Sequence, residues 1–268
     1  MITNSKKVET LFSNIWDNYI AVTPSASKVH QLLGTGSDVI NDHVAYRTFN
    51  IGKVNIDKLS AQLIKFGYYE CGEYHFEAKH LYAKHFEHEN KTLPKVFISE
   101  LLVEAFSPKA QQIIHKMVNN IELDAITSDD FLYSGTHWQI SYDEYQTLLK
   151  ESEYAAWLSA WGYRANHFTV SINHLANFDT VEAVNEAVKA GGFTLNTTGG
   201  EIKGDQFVML EQSSTLADHF PVQFSDQTVT IPSCFYEFAK RYPLDNGELY
   251  SGFVAASADK IFESTNAA

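Results

Sequence analysis

Asn41-Asp42-His43-Val44-Ala45-Tyr46-Arg47-Thr48-Phe49 reads as a β-strand, and the rest of the chain is best understood outward from it. Side chains alternate across a strand, so His43, Ala45 and Arg47 share one face while Val44, Tyr46 and Thr48 share the other. One face thus carries a metal-ligand residue and a fixed cation with only a methyl group between them. His43 and Arg47 stand roughly 13 Å apart at about 3.3 Å per residue, and a long arginine can bend back over Ala45. That layout suits an elongated acid whose near end binds a metal and whose far carboxylate is clamped by the guanidinium.

Around this strand the pattern is regular. Val8, Leu11, Ile15 and Tyr19 recur at helical spacing over 6–20, and a short helix is expected from Ala26 to Leu33, stopping at Gly34. After the strand, Ile56, Leu59, Leu63 and Phe66 mark a helix closed by Gly67. Residues 68–88 read as a hairpin and 94–105 as a strongly apolar strand, which completes a βαβββ unit. A second strand, Asn166-His167-Phe168-Thr169-Val170-Ser171-Ile172-Asn173, restarts the same order. An amphipathic helix near 178–190 follows it, then short strands at about 193–197, 206–211 and 221–238. The repeat rests on element order and on the two histidine strands, not on sequence identity between the halves. Residues 107–160 read as helical and lack the Gly/Pro/Ser enrichment of a flexible linker. The expected organisation is one catalytic domain over 1–268: a first module at 35–106, a helical insertion at 107–160, and a second module with a closing segment at 161–268.

Composition narrows the function. The 268 residues are 44% hydrophobic and 13% aromatic, enough for a substantial core. A net charge of −13 argues against a nucleic-acid partner, though local cations could still focus a small anion. No apolar stretch approaches the roughly 20 residues needed to span a bilayer, and the polar start MITNSKKVETLF lacks a signal core. A soluble protein of the reducing cytoplasm is expected. Cys71 and Cys234 make no disulfide framework and leave room for one pairing at most. No phosphate-binding glycine loop and no nucleophile elbow is present.

The candidate chemistry is a metal centre. Redox-active iron is often held by two histidines and one carboxylate on one side, with the other positions open. His43 and His167 open the equivalent strands of the two halves. Glu237, in Ser233-Cys234-Phe235-Tyr236-Glu237-Phe238-Ala239-Lys240-Arg241, lies where a late strand of the second half should supply the carboxylate. Each residue alone has an ordinary reading: a hydrogen-bonded strand histidine, or a Glu237 paired with Arg241 on a helix. The combination across the repeat is stronger than any member. Glu100, on the late strand of the first half, is a candidate fourth ligand for a lyase or isomerase. His75, His80, His85 and His88 crowd the hairpin without a recognisable zinc spacing.

DHVAYRTF, ANHFTVSIN, the YEFAKR segment and the ending GFVAASADKIFEST resemble the 2-oxoadipate dioxygenase/decarboxylase family, within the vicinal oxygen chelate superfamily. The resemblance runs from about residue 40 to the C-terminus, and the chain resembles a compact member. It implies an α+β fold in which two βαβββ modules form a curved, barrel-like mixed sheet, with helical additions at the N-terminus and between the modules. It further implies Fe(II) on His43, His167 and Glu237, Arg47 on the substrate carboxylate, and a pocket closed by residues 255–258 with Ser257 as a polar contact. The implied reaction converts 2-oxoadipate, or a similar 2-oxo acid, and O2 to 2-hydroxyglutarate and CO2. Two rivals stand beside it: a glyoxalase-like metal lyase or isomerase using Glu100, and a non-catalytic small-molecule binding protein.

Overall fold

The computed structural model describes residues 4–34 and 39–266. Two helices, α1 (Asn4–Ile20) and α2 (Pro24–Gly34), precede the first module, which runs β1 (Asn41–Phe49), α3 (Ile56–Lys65), β2 (Tyr69–Phe76), β3 (Leu81–Glu87) and β4 (Lys95–Leu101). Four helices follow: α4 (Pro108–Asn119), α5 (Leu123–Thr127), α6 (Tyr142–Leu149) and α7 (Glu153–Trp161). The second module contains β5 (His167–Ser171), α8 (Val181–Ala190), β6 (Lys203–Asp205), β7 (Leu210–Ser214), β8 (His219–Gln223), β9 (Thr228–Pro232) and β10 (Phe235–Arg241). A last helix, α9 (Ala255–Ile261), leads into a 3-10 turn over Phe262–Thr265.

Eight strands form one mixed sheet in the order β2-β3-β4-β1-β5-β10-β7-β6. The two halves of that order mirror each other. β1 runs parallel to β4 and β5 parallel to β10, while β1 and β5 meet antiparallel at the centre. The expected pair of βαβββ modules in one curved sheet is therefore present. The equivalent first strands lie side by side, which is why His43 and His167 can meet.

Some second-half strands differ from the sequence expectation. Residues 193–197 contribute only an isolated bridge, Leu195 to Thr215. The segment 206–211 is mostly the turn before β7. The segment 221–238 is split: β8 and β9 form a separate hairpin, and β10 then enters the main sheet. Pro232 ends β9 and has no amide to donate, so the chain changes partner there.

The central strands of the sheet are buried on both faces. Val44, Tyr46, Phe168, Val170, Tyr236 and Phe238 pack on the side covered by the N-terminal helices. Trp16 meets Phe168 edge-on at 5.0 Å between ring centres, and His30 hydrogen-bonds Tyr236 Oη at 2.8 Å. The apolar helix α7 is pinned by side-chain donors: the Trp161 indole donates to Pro232 O at 2.8 Å, and Tyr154 Oη to Ser99 O at 2.6 Å. The opposite, concave face carries the polar centre and is closed by residues 253–262.

Candidate metal centre

Sheet register assembles the centre. His43 pairs with Thr169, and Thr169 with Glu237, so the three lie in one row across β1, β5 and β10. His167 lies in the adjacent row on the same face, between Ala45 and Phe235. Glu237 is on a strand rather than a helix, so the i,i+4 pairing with Arg241 does not form.

His167 Nε2 lies 3.1 Å from Glu237 Oε2, and His43 Nε2 lies 3.7 Å from Glu237 Oε1. One ligand atom from each residue falls within 4.8 Å of the others, and all three residues are buried. Each histidine's other nitrogen is occupied. His43 Nδ1 donates to Asp42 Oδ1 at 2.8 Å, and His167 Nδ1 donates to Asn166 Oδ1 at 3.1 Å. Both Nε2 lone pairs are thereby turned toward the carboxylate. Glu237 Oε1 accepts from Gln212 Nε2 at 2.6 Å, while Oε2 has no hydrogen-bond partner among the described residues. Two imidazole lone pairs facing a buried, part-satisfied carboxylate form a group that could hold a metal ion, with a neighbour fixing each ring's tautomer.

The electrostatics agree. Burial opposes charge on Glu237, but the two imidazoles and the Gln212 amide outweigh it and hold its carboxyl below the usual range. Burial, chiefly, holds His167 below the usual imidazole range, in the neutral form that ligates. Thr169 Oγ1 lies 3.0 Å from His43 Nε2 and donates to it when no ion is bound.

Alternation along the strands would send Asp42 and Asn166 to the wrong face. A register shift between Asn41 and His43 gives β1 a bulge that turns Asp42 beside His43, and Asn166 precedes the first residue of β5. Asp42 is in turn gripped by Arg241, from Nε to Oδ2 at 2.6 Å and from Nη2 to Oδ1 at 2.8 Å. Burial works against the Asp42 charge, yet Arg241 and His43 hold its carboxyl well below the ordinary range. Arg241 Nη1 donates to the Tyr250 and Gly252 carbonyls at 2.9 and 2.7 Å. The metal-ligand side is thus tied to the closing segment.

Arg47 lies on the expected face, buried between Tyr154 and Trp157 at 4.9 and 5.0 Å from their ring centres. Its Nη1 donates to both Glu153 oxygens, at 3.0 and 3.1 Å, and its Nη2 to Thr265 Oγ1 at 2.8 Å. Its Nε has no partner among the described residues. The Phe262 ring, 5.9 Å from the guanidinium carbon, also lines the cavity over the three ligands. That cavity, bounded by Phe97, Phe253, Ala258, Ile261 and Phe262, holds about 20 Å³, room for about one water. Ser257 does not line it; its hydroxyl would stand 3.1 Å from a Cβ at Gly204 on β6.

Glu100 is not brought to the centre. It pairs with Thr48, on the face opposite His43, and its Oε2 accepts the Ile56 amide at the start of α3. The four-ligand lyase site is therefore overturned by register. The hairpin histidines also separate: His75 packs tilted against Tyr82, His80 sits in the turn, and His88 bonds Phe66 O. Sequence reasoning missed Gln212 and Lys203. Lys203 is buried with Nζ donating to Asn196 O at 2.6 Å, and burial pushes its pKa down to about 8 against the pull of Glu237. Neither sits in a distinctive motif. Asp42, an acid next to a candidate ligand, did carry a signal.

Fold and site together define paired βαβββ modules with the vicinal oxygen chelate type of fold, carrying a two-histidine, one-carboxylate group on their concave face. The family model for 2-oxoadipate dioxygenase/decarboxylase matches residues 3–250. A rice (Oryza sativa subsp. japonica) relative named 2-oxoadipate dioxygenase/decarboxylase, chloroplastic/amyloplastic, is 35% identical over 96% of this chain and 78% of its own length. The crystal structure of hydroxyglutarate synthase from Oryza sativa in complex with 2-oxoadipate matches at 34% identity and a TM-score of 0.88, covering 96% of this chain and 91% of that one. A Shewanella frigidimarina NCIMB 400 protein with a provisional hydrolase label matches at 58% identity and a TM-score of 0.90, covering 93% of this chain and 98% of that one. The chain belongs to the 2-oxoadipate dioxygenase/decarboxylase family and is an enzyme of oxidoreductase type. Among the described residues no helix is long and apolar enough to cross a membrane.

Proposed function

We propose that the protein is an Fe(II)-dependent dioxygenase/decarboxylase that converts 2-oxoadipate, or a similar 2-oxo acid, and O2 to 2-hydroxyglutarate and CO2. The observation that carries this reading is the buried His43–His167–Glu237 group, with both Nδ1 protons committed and Glu237 Oε2 facing His167 Nε2 without a hydrogen bond among the described residues. The reaction balances without a further reductant: the keto acid gives up its carboxyl carbon as CO2, and both atoms of O2 remain in the hydroxy diacid. Ferrous iron, when bound by these three residues, supplies the oxygen activation that no side chain can.

The chain's own residues do the rest. Asp42 and Asn166 accept the Nδ1 protons and so orient the two imidazoles with Nε2 toward the centre, and Gln212 fixes the Glu237 carboxylate. Arg47 receives the substrate's distal carboxylate, and Glu153 holds that place until substrate arrives. The exchange swaps one carboxylate for another, so the buried guanidinium is never left without a counter-charge. A cavity of about 20 Å³ cannot contain a six-carbon diacid, so entry requires the segment bearing Phe253, Ile261 and Phe262 to draw back. Its return would exclude water from the reacting atoms. Residues 1–268 act as a single catalytic domain, with the modules at 35–106 and 161–268 supplying the ligands and the insertion at 107–160 supplying Glu153.

The test is oxygen uptake by protein loaded anaerobically with Fe(II) and then given 2-oxoadipate, with products identified by mass spectrometry. Coupled O2 loss, CO2 and 2-hydroxyglutarate, all abolished in His43→Ala, are expected. No uptake by protein holding stoichiometric Fe(II) would reject 2-oxoadipate as the substrate.

A further inference from the structure

A second group of ligand atoms converges on the outer strands of the first module. Cys71 on β2 and His85 and Glu87 on β3 each present one donor atom within 4.8 Å of the others. The fold builds this group by two local devices. β2 carries a bulge between Glu70 and Gly72, and Cys71 is the extra residue, which turns its side chain toward His85 and Glu87. Gly72, opposite His85, leaves room for the imidazole: a Cβ there would stand 3.0 Å from His85 Nδ1.

The surrounding hydrogen bonds orient the imidazole. Tyr74 Oη accepts the Phe253 amide at 3.1 Å and lies 2.9 Å from His85 Nδ1. When Oη accepts from Nδ1 as well, the Nε2 lone pair points at Glu87 Oε1, 3.3 Å away. Glu87 Oε2 is bridged to the exposed Lys91 ammonium at 2.8 Å, which leaves Oε1 facing inward. The Cys71 thiol points to Tyr69 O at 3.6 Å, a weak contact easily given up.

We propose that Cys71, His85 and Glu87 form a second metal site, distinct from the His43–His167–Glu237 centre, that takes a zinc-type divalent cation. A thiolate, an imidazole and a carboxylate are three ligands of a tetrahedral zinc site, with water as the fourth. Binding makes a metal–sulfur bond and releases the Cys71 thiol proton to solvent, with no change of oxidation state. Sulfur separates this site chemically from the all-nitrogen-and-oxygen triad. It also lies one ring away from that triad. His85 contacts Phe253 at 5.3 Å between ring centres, and Phe253 contacts His43 at 4.8 Å. A cation on His85 fixes the Tyr74–Phe253 contact and with it one wall of the triad cavity.

Cobalt(II) titration of the metal-free protein under anaerobic conditions tests this, because a cobalt–thiolate bond gives a near-ultraviolet charge-transfer band that the triad cannot produce. Two cobalt equivalents are expected, one of them accompanied by that band. Cys71→Ser removes the band and reduces the stoichiometry to one, whereas His167→Ala also reduces it to one but keeps the band. Cys234 is the other cysteine, and Cys234→Ser leaves the band in place. Tyr74→Phe, which removes the partner of His85 Nδ1, weakens the banded site by about 10–100-fold. A single equivalent without the band, or a band that survives Cys71→Ser, overturns the proposal.

Discussion

Asp42→Asn isolates the electrostatic support behind His43. The substitution keeps the shape and leaves an oxygen able to accept the Nδ1 proton, but it removes the charge that Arg241 grips through bonds of 2.6 and 2.8 Å. Two separate losses follow. Arg241, only 2% exposed, becomes a buried cation without its counter-ion, which costs about 3–5 kcal/mol of folding stability. His43 loses the charged acceptor of its Nδ1 proton, which costs about 10–100-fold in metal affinity. Urea unfolding of the metal-free protein reads the first loss, and competition for zinc against a chelator reads the second. Adding Arg241→Met separates them. The double variant removes the orphaned cation and regains part of the stability, though not the contacts of Arg241 Nη1 with Tyr250 and Gly252. It regains none of the metal affinity. Parental zinc affinity in Asp42→Asn would refute the reasoning, because His43 would then need no charged support.

Glu237→Gln should abolish metal binding and also destabilise the metal-free protein by about 1–3 kcal/mol, because it removes the charge that the two imidazoles and the Gln212 amide favour in the folded state; unfolding and metal analysis on one sample check both losses. Arg47→Met should raise the KM for 2-oxoadipate at least about tenfold, the scale of one charge-assisted contact, with the metal still bound. Glu153→Gln should lower that KM by weakening the competing carboxylate, and an unchanged KM in both variants removes the clamp assignment. Burial opposes charge on Glu263, but Lys79 outweighs it and holds the carboxyl below its usual range. The depressed value means its stabilisation is complete above the unfolded pKa of about 4.3 and is lost as pH falls through the lower folded value. The pair is partly exposed, so its contribution is at most about 1 kcal/mol. Limited proteolysis should show residues 255–266 loosening on acidification, and Glu263→Gln should flatten that response.

The centre was legible because strand alternation and module order are carried by single residues in sequence. His43 and His167 each begin a strand of the same kind, and β1–β5 pairing brings them together without any local clue being needed. Glu237 followed from its place in the second half. Glu100 stands apart for the same physical reason that the histidines come together: a shift of one residue along a strand moves a side chain to the other face. Its strand position alone did not fix its face; pairing with Thr48 does. Asp42 carried a signal in its place beside His43, but its face was not legible, since a bulge breaks the alternation by which faces are read. The occupation of Arg47 by Glu153 was out of reach, because it joins residues 106 positions apart across the helical insertion. The hairpin β8–β9 was read as part of a long strand because its residues alternate as a sheet strand does, whichever sheet they join.

The most direct test of the central claim is the fate of isotopically labelled O2 during turnover of 2-oxoadipate by the Fe(II)-loaded protein. Both labelled atoms should appear in 2-hydroxyglutarate, one in the new carboxylate and one in the hydroxyl, with none in the CO2 as released. Product formed with solvent oxygen alone, or without oxygen consumption, would contradict a dioxygenase at His43, His167 and Glu237.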